Sequence, residues 1–194
     1  NALNDAPFSR RQLLQFATDY EGHPDNVAPA LFGGLVLGVQ GDEGLHVEQI
    51  GIPPLRVVYV LPDFDLLTET ARAALPLQVP RADAIFNASR LGLLIRALQL
   101  ADYEKLALAM DDRLHQPYRM PLVPGMAAAF EAAKAAGAAS VAISGAGPSV
   151  IAFAEEGHEG VKTAVMHAFA QAGLTSRAWI LPIDTLGTRM AGEP

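Results

Sequence analysis

Pro53 and Pro54 stand side by side, and neither a helix nor a paired strand runs through such a pair. Each proline removes a backbone donor, fixes φ and restrains the residue before it. The chain must divide there. Ahead of the break, Ser9 and Gln12 have the spacing of a capping box, in which each satisfies a backbone donor near the other. Leu13, Leu14, Phe16, Ala17 and Tyr20 then recur at helical spacing until Gly22 stops them. After the loop His23-Pro24-Asp25-Asn26 a short helical turn reaches Leu31, and Gly33-Gly34 releases the chain into a strand over 35–40. A second strand over 45–50 follows Gly41-Asp42-Glu43-Gly44, so the two predict a hairpin.

Beyond the prolines the pattern changes. Residues 55–61 are rich in Val and Leu and read as a buried strand, followed by a helix from near Phe64 that ends before Pro76. Helical periodicity resumes at Arg81, with Leu91, Leu94, Ile95 and Leu98 marking a long helix. Shorter helices are expected over 102–110 and over 124–136, the latter closed by Gly137. Strands over 141–144 and 150–154 flank Gly145-Ala146-Gly147-Pro148, a helix spans about 160–172, and residues 176–183 supply the last strand. This order is a split βαβ, or ferredoxin-like, arrangement with extra helices in its first crossover. The fold class is α+β, with one domain over 1–53 and a second over 54–194.

Composition narrows the functions available. With 194 residues, 51% of them hydrophobic, the chain can bury a sizeable core, which argues against disorder. A net charge of −7 argues against nucleic acid and anionic membranes as partners, since both attract clustered cations. The chain has no cysteine, which excludes disulfides, thiolate nucleophiles and Cys-ligated zinc. Eleven of the 14 cationic residues are Arg, whose rigid fork suits small carboxylates and phosphates. No signal-peptide pattern or membrane-spanning run is evident, so the default compartment is the cytoplasm. The polar stretch from Asn1 reads as a chain opening in the middle of a fold.

Three places concentrate groups capable of chemistry. In Glu21-Gly22-His23-Pro24-Asp25-Asn26, Glu21 suits either a Mg²⁺ ligand or a surface acid. His23 and Asn26 suit substrate hydrogen bonds, or Asp25 or Asn26 simply caps the next turn. In Ser144-Gly145-Ala146-Gly147-Pro148-Ser149 the glycines let backbone N–H groups converge on an anion and Ser144 and Ser149 add hydroxyls, unless the stretch is an ordinary tight hairpin. The strand-loop-strand setting disfavours a P-loop or a dinucleotide fingerprint, which need a helix directly after the glycines. The third group is Arg72, on a helix, and Arg119, in a loop pinned by Pro117, Pro121 and Pro124. Two such forks suit a substrate carboxylate, although singly each reads as a surface ion-pair partner. The acidic pairs Glu155-Glu156, Asp111-Asp112 and Asp63/Asp65 read as caps and solvated faces.

Together these stretches resemble a known family. Glu21-Gly22-His23-Pro24-Asp25-Asn26-Val27-Ala28-Pro29-Ala30-Leu31-Phe32-Gly33-Gly34 is similar to the signature stretch of the homoserine kinases, members of the GHMP small-molecule kinases. Ile143-Ser144-Gly145-Ala146-Gly147-Pro148-Ser149 resembles the third GHMP motif, and the segments 68–76 and 115–125 resemble their homoserine-kinase counterparts. The resemblance implies a GHMP kinase fold, in which the first domain is the remainder of the N-terminal domain and the second is ferredoxin-like. It implies ATP and Mg²⁺ as cofactors and phosphorylation of L-homoserine to O-phospho-L-homoserine in threonine biosynthesis. By the same resemblance Glu21 is the Mg²⁺ ligand, and His23, Asn26, Arg72 and Arg119 bind substrate. Ser144, Gly145, Ala146, Gly147 and Ser149 form the phosphate and substrate loop. No catalytic base is assigned, because phosphoryl transfer rests mainly on positioning and charge neutralisation.

One departure stands out. The family's Pro-x-x-x-Gly-Leu-Gly-Ser-Ser loop, which cradles the ATP phosphates, does not occur in these 194 residues. The chain therefore reads as about the C-terminal two-thirds of such an enzyme, with little or no kinase activity by itself. The hairpin over 35–50 is then expected to show an open edge and an apolar face, which leaves self-association into a homodimer open. The alternatives are a GHMP kinase for another small alcohol and a non-catalytic domain that retains an amino-acid pocket.

Overall fold

The chain enters and leaves its larger unit at prolines. In a computed structural model that describes residues 7–42 and 44–189, one unit runs to Ile52 and resumes at Ile183, and the other is Pro53–Pro182. Residues 183–189 thus group with residues 7–52.

In the first unit, helix α1 (Arg10–Glu21) opens on the expected capping box: the Ser9 side chain accepts from the Gln12 amide, and Gln12 reaches back to the Ser9 amide. It closes on Gly22, left-handed at φ 88°, whose N–H bonds the Thr18 carbonyl. Helix α2 (Val27–Phe32) follows. Strands β1 (Leu35–Gly41) and β2 (Gly44–Ile50) pair antiparallel, from Leu35↔Ile50 to Gly41↔Gly44. Among the described residues this hairpin is a two-stranded sheet, and Val39 is 64% exposed. Glu43, in the expected turn, lies outside the described residues.

The returning segment 183–189 is fastened to α2 and the glycines after it. The Gly34 amide bonds the Asp184 carbonyl at 2.7 Å, and Thr188 donates from its amide and its hydroxyl to the Ala30 carbonyl. Arg10 donates to the Thr188 carbonyl at 2.8 Å. Gly33 and Gly187 meet at the crossing: a Cβ on Gly33 would lie 2.4 Å from the Gly187 nitrogen, and one on Gly187 would lie 2.3 Å from the Leu31 oxygen. Only glycine allows two backbones to come this close.

The second unit holds the expected split βαβ arrangement. Strands β3 (Arg56–Pro62), β4 (Ser140–Ile143), β5 (Val150–Phe153) and β6 (Ser176–Pro182) form an antiparallel sheet in the order β4-β5-β3-β6. The first crossover carries helices α3 (Thr68–Ala73), α4 (Arg81–Leu100), α5 (Tyr103–Ala109), α6 (Gln116–Arg119) and α7 (Met126–Ala135). Helix α8 (His158–Gln171) forms the second. The alternation in β3 turns Val58 and Val60 to the core, where Val150 and Ala152 of β5 meet Met126 and Phe130 of α7 and Val161, Val165 and Phe169 of α8. No helix among the described residues is long and apolar enough to cross a membrane.

Two local expectations are corrected. The helix expected from Phe64 begins only at Thr68, because Phe64 and Leu66 lay their side chains on the core and Leu67 is extended. The loop expected around Arg119 contains α6 and then a 3₁₀ turn, Met120–Leu122. Pro117 and Pro121 occupy their first turns, where a missing N–H costs nothing.

The crossing of Gly33 and Gly187 yields a paired prediction. Gly33→Ala should lower the unfolding free energy by about 2–4 kcal/mol, since left-handed strain adds to a backbone clash. Gly22→Ala, also left-handed but with nothing within 4 Å of the new Cβ, should cost about 1–2 kcal/mol. Urea denaturation of both variants checks the order.

Candidate active site

In the larger unit the structure gathers Arg119, helix α3 and the glycine loop. Arg119 ends α6, and its guanidinium reaches two backbone carbonyls: Nε donates to Ala71 at 3.3 Å, and Nη1 donates to Gly145 at 3.2 Å. Of its five N–H donors, three remain for a ligand. Arg72 is the residue after Ala71, exposed in the last turn of α3. A half-buried guanidinium is thus aimed by carbonyls from α3 and from the loop between β4 and β5.

The loop itself is closed by its own backbone. Ser144 N–H donates to the Ser149 carbonyl at 2.8 Å, and Gly147 N–H donates to the Ser144 carbonyl at 3.1 Å. The amides of Gly145 and Ala146 take no part in these bonds, and Gly145, at φ 59°, has open space on its Cβ side. Gly147 is tight instead: a Cβ there would meet Ile143 and Leu66 at 3.2 and 3.3 Å. Ser144 is half-buried, while Ser149 is buried and its Oγ accepts from the Tyr59 hydroxyl at 2.8 Å. Tyr59, on the central strand, is absent from the sequence reading. Only its outward register on β3, opposite Ile151, could have marked it.

Helix α6 is held in place by Asp112. This carboxylate accepts from the amides of Leu114 and His115, each at 2.9 Å, from the Gln116 amide at 2.5 Å and from Asn87 of α4 at 2.6 Å. Asn87 also accepts from the Arg113 amide at 3.0 Å. Gln116 Oε1 then accepts from the Ile143 amide at 3.0 Å, joining α6 to the end of β4. Asp112 is a cap, as its acidic pair suggests, but one that anchors the arginine-bearing helix to α4. The signal available in the sequence is an Asp a few residues ahead of a Pro that opens a helix.

In the smaller unit, Glu21 is the exposed last residue of α1. His23 Nδ1 lies 2.5 Å from an Asp25 carboxylate oxygen, which also accepts from the Asn26 amide at 3.1 Å. Asn26 occupies the N-cap of α2, and its exposed side chain makes no capping bond. Among the described residues no three His, Cys, Asp or Glu side chains converge as a metal site. Glu21 is a lone carboxylate, and a lone carboxylate would hold Mg²⁺ only by sharing the ion with substrate phosphates.

Burial pushes the Asp112 carboxyl upward, and this is the largest single influence. The hydrogen bonds from Gln116, Asn87, Leu114 and His115 together outweigh it and hold the carboxyl below the usual carboxylate range. A lowered folded value makes the ionised form stabilising above about pH 4, and that contribution is lost as pH falls through the lowered value. Asp112→Asn should cost about 1–3 kcal/mol at neutral pH. The gap between variant and parent should narrow in urea titrations below about pH 4.

Residues 94–170 match the family model "GHMP kinases C terminal". A homoserine kinase from Synechococcus sp. is 45% identical over the whole of this chain and 64% of its own length. One from Moorella thermoacetica is 44% identical over 90% of this chain and 59% of its own. The crystal structure of homoserine kinase from Cytophaga hutchinsonii superposes with a TM-score of 0.89 at 30% identity, covering 96% of this chain and 62% of that one. The chain thus spans about three-fifths of the length of the relatives it matches. The matched residues hold α7, β4, β5 and most of α8 of the larger unit, which carries the GHMP kinase C-terminal domain, and along its whole length the chain is similar to homoserine kinases.

Proposed function

We propose that this chain supplies the substrate-binding and C-terminal part of a homoserine kinase. In the reaction, the side-chain hydroxyl oxygen of L-homoserine forms a bond to the γ-phosphorus of ATP. The bond from that phosphorus to the β-phosphate oxygen breaks, the hydroxyl proton is released, and ADP and O-phospho-L-homoserine leave. The cytoplasm, with its ATP supply, is the compartment we assign to this reaction.

The observation that carries this reading is Arg119. Its guanidinium is aimed by the Ala71 and Gly145 carbonyls and keeps enough donors for a two-pronged grip on a carboxylate, the group an amino-acid substrate has and a simple alcohol lacks. Arg72 is the second cation for that carboxylate. His23 and Asn26 hydrogen-bond the substrate, consistent with an Asn26 side chain that is not engaged in capping. The Gly145 and Ala146 amides face developing negative charge, and Ser144 and Ser149 line the same loop. Glu21 holds Mg²⁺ jointly with nucleotide phosphate, and the ion supplies charge neutralisation on the transferring group.

The test uses protein expressed from the complete reading frame that encodes these residues, assayed for ADP release with L-homoserine. Arg119→Ala should raise the KM for homoserine about thirtyfold or more, a loss of about 2 kcal/mol or more. The KM for ATP should stay within about twofold. Equal losses on both substrates would sink the carboxylate assignment, and turnover of a neutral alcohol in preference to homoserine would point to another kinase of this family.

A further inference from the structure

We propose that Gln116 is a positioning residue for substrate-carboxylate recognition: by accepting from the Ile143 amide it sets the spacing between helix α6 and the glycine loop, and so the place of the Arg119 guanidinium. The inference rests on the role given to Arg119 above.

Gln116 and Arg119 are three residues apart, so on one turn of α6 their side chains lie on the same face. They meet backbone groups two residues apart on the facing chain: Gln116 Oε1 takes the Ile143 N–H at 3.0 Å, and Arg119 Nη1 gives to the Gly145 carbonyl at 3.2 Å. One helical turn thus reads the end of β4 and the start of the loop in a two-point register. Asp112 fixes the start of α6, but a single contact with the glycine-loop side would leave its far end free to shift against that loop, since four residues of helix have little rigidity of their own. The second contact removes that freedom. The other end of Gln116 only grazes the Met110 carbonyl, at 3.5 Å, so the acceptor oxygen is the functional end. Asp112 fixes the start of the same turn through the Gln116 amide, leaving the side chain to face the loop.

A structural glutamine would affect stability and both substrates alike, whereas a positioning one acts through Arg119. In the protein from the complete reading frame, Gln116→Leu should weaken homoserine binding, read by calorimetry without nucleotide, and raise its KM by roughly tenfold. The KM for ATP should stay within about twofold. In an Arg119→Ala background, Gln116→Leu should add less than about twofold. Should the leucine variant fail to fold, Gln116→Ala takes its place in the same cycle. Full additivity with Arg119→Ala, or equal weakening of ATP and homoserine, would overturn the proposal. An Arg119→Ala variant with unchanged homoserine affinity would instead overturn the reading of the site.

Discussion

Strand β3 is paired along both edges, to β5 from Val57↔Phe153 to Val60↔Val150 and to β6 along all seven residues. That double pairing governs the larger unit. It makes β3 the strand whose inward residues, Val58 and Val60, are wholly buried, and it seats β5 beside β4 so that Ile143 faces Val150. The six residues left between them must turn back within the width of two strands, which is why glycines in left-handed conformations stand at 145 and 147. The glycine loop is therefore a product of sheet register. Tyr59 belongs to the same device, since its place on β3 brings its hydroxyl to Ser149.

Much of this was legible because it is local. The capping box at Ser9, the stop at Gly22 and the glycine-flanked strands depend on neighbours in sequence, and they stand where residue type and spacing put them. What escaped depends on partners far along the chain. Phe64 and Leu66 carry a helix-like pattern yet serve the core, so α3 is shorter than the pattern implies. Nothing local to residues 183–189 shows that Gly187 is matched to Gly33, some 150 residues earlier. Gln116 and Asp112 show their purpose only when β4 and α4 are beside them.

The charge balance illustrates how local structure overrides composition. A chain with net charge −7 presents, at one point, a guanidinium whose orientation is set by two neutral carbonyls. Carbonyl partners leave its charge uncompensated, where a carboxylate partner would have cancelled it. An uncompensated guanidinium of this kind suits a small anion better than a polyanion, which calls for a broad positive field.

The crossing of Gly33 with Gly187 bears on how the chain is made. The larger unit is an insertion in the smaller one: it enters next to β3 and exits after β6, at strand ends paired as Arg56↔Pro182, so its own ends are already adjacent. During synthesis it can be finished while the smaller unit still waits for its closing strap, which emerges from the ribosome after it. Until then α2 and the glycines after it lack the partners that Asp184 and Thr188 provide. The prefolded insertion shortens the effective loop between residues 52 and 183, and so lowers the entropy cost of bringing the strap home.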